Sequence, residues 1–144
     1  MEQDYLKVTG KVLLQLFDEN NNLKDERRIK NTITTLGKTH IADQLSSAPD
    51  DAAMSHMAVG TGSGGTTTLG TENDRNAFTS RTHTTNVLSY VGDWAAGDAT
   101  VAITEAGIFN DASAGTMLCY SSFDAINKGA SDTLKITWTI TFNQ

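Results

Sequence analysis

The sequence predicts an all-β fold: a jelly-roll-like β-sandwich of about seven or eight strands, with one short helix near residues 35–46. Three observations carry this. Residues 133–142, TLKITWTITF, alternate polar and apolar without a miss, the period of a strand with one buried and one wet face. Threonine is abundant, and 12 glycines stand against a single proline, Pro49; threonine suits strands and glycine suits turns and bulges. Clusters of turn formers at 94–98, 110–115 and 127–132 recur at the spacing of a sandwich or barrel.

The elements follow in order. Val8, Val12, Leu14 and Leu16 share one parity within residues 5–17, which predicts a first strand. Residues 18–22, DENNN, make a turn that tolerates left-handed geometry, and a second strand runs from about Leu23 to Ile33. Residues 1–33 are thus read as an N-terminal hairpin arm, attached to a sandwich domain spanning 34–144. Within 34–47, Leu36, Ile41 and Leu45 adopt helical spacing, Thr34 or Thr35 is the candidate N-cap, and the loop 46–53 around Pro49 is the exit. Strands resume at 78–94, bent near Asn86, and continue at 99–110, 116–123 and 134–142. In the last of these Leu134, Ile136, Trp138, Ile140 and Phe142 face the core. Lys135, Thr137, Thr139 and Thr141 form an outward row suited to pairing or to an interface.

Composition narrows the function. The 144 residues fit one domain, and the lone cysteine, Cys119, excludes an intramolecular disulfide and a cysteine-based zinc site. An acidic N-terminus does not fit a secretory signal, and no run approaches the roughly 18 apolar residues of a membrane span, so a soluble chain without a membrane partner is expected. Net charge is −6; residues 39–144 carry 4 Lys+Arg against 11 Asp+Glu, a balance that repels nucleic acid.

Gly60-Thr61-Gly62-Ser63-Gly64-Gly65 matches the spacing of a dinucleotide-binding turn. The mechanism behind that spacing needs a helix directly after it and an acidic residue about 20 positions on. Thr66-Thr67-Thr68-Leu69-Gly70 starts a helix poorly, and residues 80–85 hold no acid. A nucleotide site is therefore rejected, and the stretch is read as a connector loop. His40, His56 and His83 are scattered and form no metal-ligand pattern; Cys119 reads as a small core residue. Glu105, inside the apolar run 103–108, is either a catalytic acid with a raised pKa, partnered by Glu72 or Asp74, or a structural ion pair with Arg75 or Arg81. The ion pair is the expectation.

The ordered set NTITTLGK at 31–38, AVGTG at 58–62, LGTE at 69–72 with Arg75, ITEAGIFN at 103–110, GTML at 115–118 and DTLKITWTITF at 132–142 resembles small structural proteins of tailed bacteriophages. The likeness runs from about residue 29 to the end. It implies a capsid decoration, or cement, protein: a non-enzymatic homotrimer made in the host cytoplasm, seated on the virion surface and bound to the major capsid protein. It brings no catalytic residue, cofactor or metal. Tail-fibre and baseplate proteins with similar EAGIFN segments are the alternative, and a carbohydrate-binding module using Trp94 and Tyr90 is a second. The expected interface takes Val8, Val12 and Leu14 from the first strand and Arg27 and Arg28 from the second. It adds Gly60, Gly62 and Gly65 from the glycine loop and Thr137 and Thr139 from the last strand.

Overall fold

In the computed structural model, which describes residues 5–143, the strands β1 (Lys7–Phe17) and β10 (Thr133–Asn143) pair antiparallel along their whole length. This follows from the alternation. Val12, Leu14 and Leu16 of β1 and Leu134, Ile136, Trp138 and Ile140 of β10 all fall on one face and are buried, so each strand supplies half of an apolar surface that neither could bury alone.

Two five-stranded antiparallel sheets result. The front sheet has the order β2-β1-β10-β7-β6, with β2 (Leu23–Lys30), β6 (Ser80–Thr84) and β7 (Val87–Trp94). The back sheet has the order β3-β9-β8-β4-β5, with β3 (Thr32–Ile33), β4 (His56–Gly60), β5 (Glu72–Ala77), β8 (Ala102–Phe109) and β9 (Met117–Asn127). Side chains of the two inner faces interdigitate as one core, with Trp138, Met57, Ile103, Ile108 and Ile136 fully buried. The all-β sandwich expected from the alternation and turn spacing is thus what forms.

A strand that changes sheet closes each side. On one side β2 pairs with β1, and after Asn31 the chain continues as β3 on β9. On the other, β5 pairs with β4, and after Phe78 and Thr79 it continues as β6 on β7. Counted as continuous segments the ten strands are eight, within the expected number, but β4 and β5 fall in residues 56–77, where the sequence reading placed a connector and no strand. The expected strand 78–94 is instead the hairpin β6–β7, turned at Thr85 (φ 51°) and Asn86, whose Nδ2 donates to the Phe142 carbonyl (2.8 Å).

The first turn forms as expected. Asp18 Oδ1 accepts from the backbone N–H groups of Asn20 and Asn22, 2.9 Å each, with Asn21 at φ 63°. Within residues 5–33 this hairpin is an integral part of the sandwich. β1 lies second in the front sheet with partners on both sides, and Val12 and Leu14 are core residues rather than interface; the arm's first four residues lie outside the described ones. Arg27 is also internal in its bonding, its guanidinium donating across the side of the sandwich to the carbonyls of Asp124 and Ala125 (2.6 and 3.1 Å).

The helix α1 (Thr35–Gln44) is capped by Thr34, whose Oγ1 accepts from Gly37 N (2.8 Å) and donates to the Met117 carbonyl. A Cβ on Gly37 would lie 2.1 Å from the Leu118 carbonyl oxygen, so glycine is what lets α1 lie against β9. Among the described residues no helix is long and apolar enough to cross a membrane.

Ile136→Ala should cost about 2–5 kcal/mol in urea unfolding, whereas Thr137→Ala next to it should stay within about 0.5 kcal/mol. Removing residues 1–17 should abolish the cooperative transition, because it strips the front sheet of an inner strand.

Candidate functional site

Glu105 is fully buried at the centre of the back sheet, and it is not paired with an arginine. Its Oε2 accepts from the backbone N–H groups of Gly62 (2.7 Å) and Thr71 (2.8 Å), and its Oε1 from those of Gly70 (2.7 Å) and Gly64 (3.2 Å). The Tyr120 hydroxyl also donates to Oε1, at 3.1 Å. The loop 61–71 therefore folds back over the outside of the back sheet with its amides turned onto one carboxylate. Successive backbone N–H groups make an anion-binding concavity of this kind. The glycine stretch binds an anion after all, and the anion belongs to the chain.

This geometry accounts for the glycines. A Cβ on Gly60 would lie 2.4 Å from the Thr71 carbonyl oxygen and 2.6 Å from Glu105 Oε2; one on Gly62 would lie 2.6 Å from Thr71 N. Gly65, at φ 121°, abuts the Tyr120 ring. Gly60, Gly62 and Gly65 thus face inward, against the clamp, and not toward a partner as expected. The loop also delivers Leu69 onto Gly107, where it forms a second small core with Ala58, Phe109, Met117 and Tyr120.

The electrostatics oppose acid catalysis. Burial alone pushes the Glu105 carboxyl up, but the amides of Thr71, Gly70, Gly62 and Gly64 outweigh it and hold the group below the usual carboxylate range. A catalytic acid needs the reverse shift. Both expected arginine partners are engaged elsewhere. Arg75 pairs with Glu72 (2.6 Å) and lies 3.7 Å over the Phe109 ring, and Arg81 donates to the Met54 carbonyl.

Other candidates fall into place. Trp94 and Tyr90 are 1% and 5% exposed, so neither offers the open ring face that glycan stacking requires. His40 approaches Asp51 (Nδ1 to Oδ2, 3.4 Å), His56 contacts Ser55 (2.7 Å), and His83 Nε2 lies 2.7 Å from the Thr85 carbonyl oxygen. Among the described residues no three His, Cys, Asp or Glu side chains are placed to hold a metal. Cys119 is buried in the core, and burial pushes its thiol well above the usual range, which leaves it unreactive.

The outer face of the front sheet is different. It carries a groove of about 410 Å³ that includes Arg28, Thr137 and Thr139 of the expected interface together with Lys11, Leu13 and Lys30. The register sets Lys11 directly opposite Lys30 on one side and Thr139 on the other; Leu13 lies between Arg28 and Thr137. Arg28 is paired with Glu26 (3.1 Å), but among the described residues no carboxylate pairs with Lys11 or Lys30. Like charges directly opposite each other destabilise a sheet. In the sequence Lys30 reads as one of a solvated basic cluster with Lys24, Arg27 and Arg28, and the parity of Lys11 with Leu13 is the signal that places Lys11 on the same outward face. Val8 is half-buried at the end of the inward row. Compared with known proteins, the chain matches no family, no curated sequence and no solved structure.

Glu105→Gln should cost about 3 kcal/mol, because whichever carboxylate oxygen becomes an amide NH2 then faces two backbone donors. The folded carboxyl titrates below its unfolded value of about 4.3. Its contribution is therefore complete above that value and is lost as pH falls through the lower, folded one. The stability gap between the parent chain and Glu105→Gln, measured by urea unfolding, should be flat from about pH 5 to 8 and close progressively in more acidic solution.

Proposed function

We propose that the chain is a non-enzymatic structural subunit of a tailed-bacteriophage virion, a head decoration protein that binds the outer capsid surface and stabilises contacts between capsomers. It acts as a homotrimer whose front sheet faces the major capsid protein. The observation that carries this reading is the inequality of the two outer faces. The back sheet is covered by its own clamped loop, while the front sheet leaves a half-buried row of Thr137, Thr139 and Leu13, edged by the unpaired Lys11 and Lys30, open to a partner.

Area supports it. Five strands about 4.8 Å apart and about eight residues long cover on the order of 600 Å², close to the roughly 800 Å² per partner of a standard interface. Chemistry supports it as well, because the one carboxylate buried in an apolar run is saturated by backbone donors and is not available for proton transfer. The cationic groove on a chain of net charge −6 fits an acidic site on the capsid protein, which fixes docking register more than it adds affinity.

The test is co-sedimentation of the purified protein with virus heads that lack it, together with a light-scattering mass. Binding to heads as a trimer is expected, weakening as salt rises. The double substitution Lys11→Gln with Lys30→Gln should lower head binding at least tenfold while leaving the melting temperature unchanged or raised, since it removes a facing pair of like charges. Binding only to tails or to cells would overturn the head assignment.

A further inference from the structure

At the end of the sandwich closed by α1, a cavity of about 540 Å³ opens between the two sheets. Its walls are apolar: Leu88, Ile140 and Phe142 from the front sheet and Ile33, Leu118 and Ile41 from the opposite side. A dry void of this size would forfeit van der Waals contacts along its whole lining. Water inside it would find few polar partners. Its size and character are those of a small-molecule site, which pairs a mainly apolar wall with a few placed polar groups.

The polar groups are present. Tyr90 is 5% exposed and its ring packs on Phe78 with centroids 4.7 Å apart, yet its hydroxyl makes no hydrogen bond to any described residue. Burial pushes this phenol up to about 12, so it remains a proton donor at neutral pH. Arg81 is the direct cross-strand neighbour of Tyr90 in the β6–β7 pair and lines the same cavity. One of its N–H groups donates to the Met54 carbonyl, and among the described residues it has no carboxylate partner. A guanidinium with N–H groups to spare and a phenol hydroxyl thus stand side by side at the edge of an apolar chamber.

We propose that this cavity binds an amphipathic carboxylate, a fatty or aryl-substituted acid, whose apolar body lies between the sheets while its carboxylate accepts from the Tyr90 hydroxyl and the Arg81 guanidinium. The planar fork of arginine suits a carboxylate. The site lies inside the sandwich and is separate from the outer groove of the front sheet, so it does not depend on the capsid reading.

The experiment is calorimetric titration of the full chain with dodecanoate and, in parallel, with uncharged dodecanol. Dodecanoate should bind saturably at one site, about tenfold more tightly than dodecanol. Tyr90→Phe and Arg81→Met should each weaken dodecanoate about fivefold and leave dodecanol unchanged. Methyl NMR of the unmodified protein gives a readout free of any folding defect in the variants: dodecanoate should shift the methyl signals of Ile33, Leu118 and Ile140 and spare those of Val59 and Ile103. Equal affinity for the two ligands would overturn recognition of the carboxylate. Absence of shifts at the cavity methyls, or shifts spread over the whole core, would overturn the site.

Discussion

A carboxylate in the middle of a β-sheet, out of reach of water, would ordinarily be protonated or paired with a cation. At Glu105 neither happens; four backbone N–H groups and one phenol solvate it in place of water. The arrangement satisfies both sides at once. The loop 61–71 has amide donors with no ladder to join, and the carboxylate has lone pairs with no water to accept. Each removes a cost that the other would otherwise carry. The close approach this needs is possible only where no Cβ intervenes, which is why glycines cluster at Gly60, Gly62, Gly64 and Gly70.

Much of the architecture follows from that clamp. Held down by Glu105, the loop seats Leu69 on Gly107 and gives the back sheet a second apolar layer. A sheet buried on both faces reads as a continuous apolar run rather than an alternation. Residues 105–109 and 117–121 are all buried, whereas β10 alternates throughout. The two sheets are therefore unequal in sequence as well as in structure. The front one keeps a polar outer face.

The legible parts of the fold were those set by local physics. The alternation of β10, the Thr34 cap and the DENNN turn each depend on residues within a few positions of one another, and each forms where the pattern places it. What was not legible depends on distant pairing. Residues 1–33 look detachable as a hairpin because their nearest partner is local, but the strand that fixes β1 in place is β10, more than a hundred residues away. The partner of Glu105 was sought among arginines because side chains have letters; backbone amides have none. Only the surplus of glycine in 60–70 could have signalled it. The stretch read as a connector is the place where backbone amides gather on a carboxylate of the same chain.

The same reasoning separates groups that are spent from groups that are free. Glu105, Arg75, Arg27 and Asp132 each sit among satisfied partners, and their removal would be felt as lost stability. Lys11 with Lys30 on the outer face, and Tyr90 with Arg81 at the edge of the cavity, show the opposite condition. One pair is held close against its own repulsion, and the other pair is desolvated or cationic without an acceptor that uses it fully. A fold tuned for its own stability alone would relieve the first by a charge change and the second by an apolar one. Both are features that a carboxylate from a second molecule would relieve, the first by pairing the facing lysines and the second by accepting from Arg81 and Tyr90.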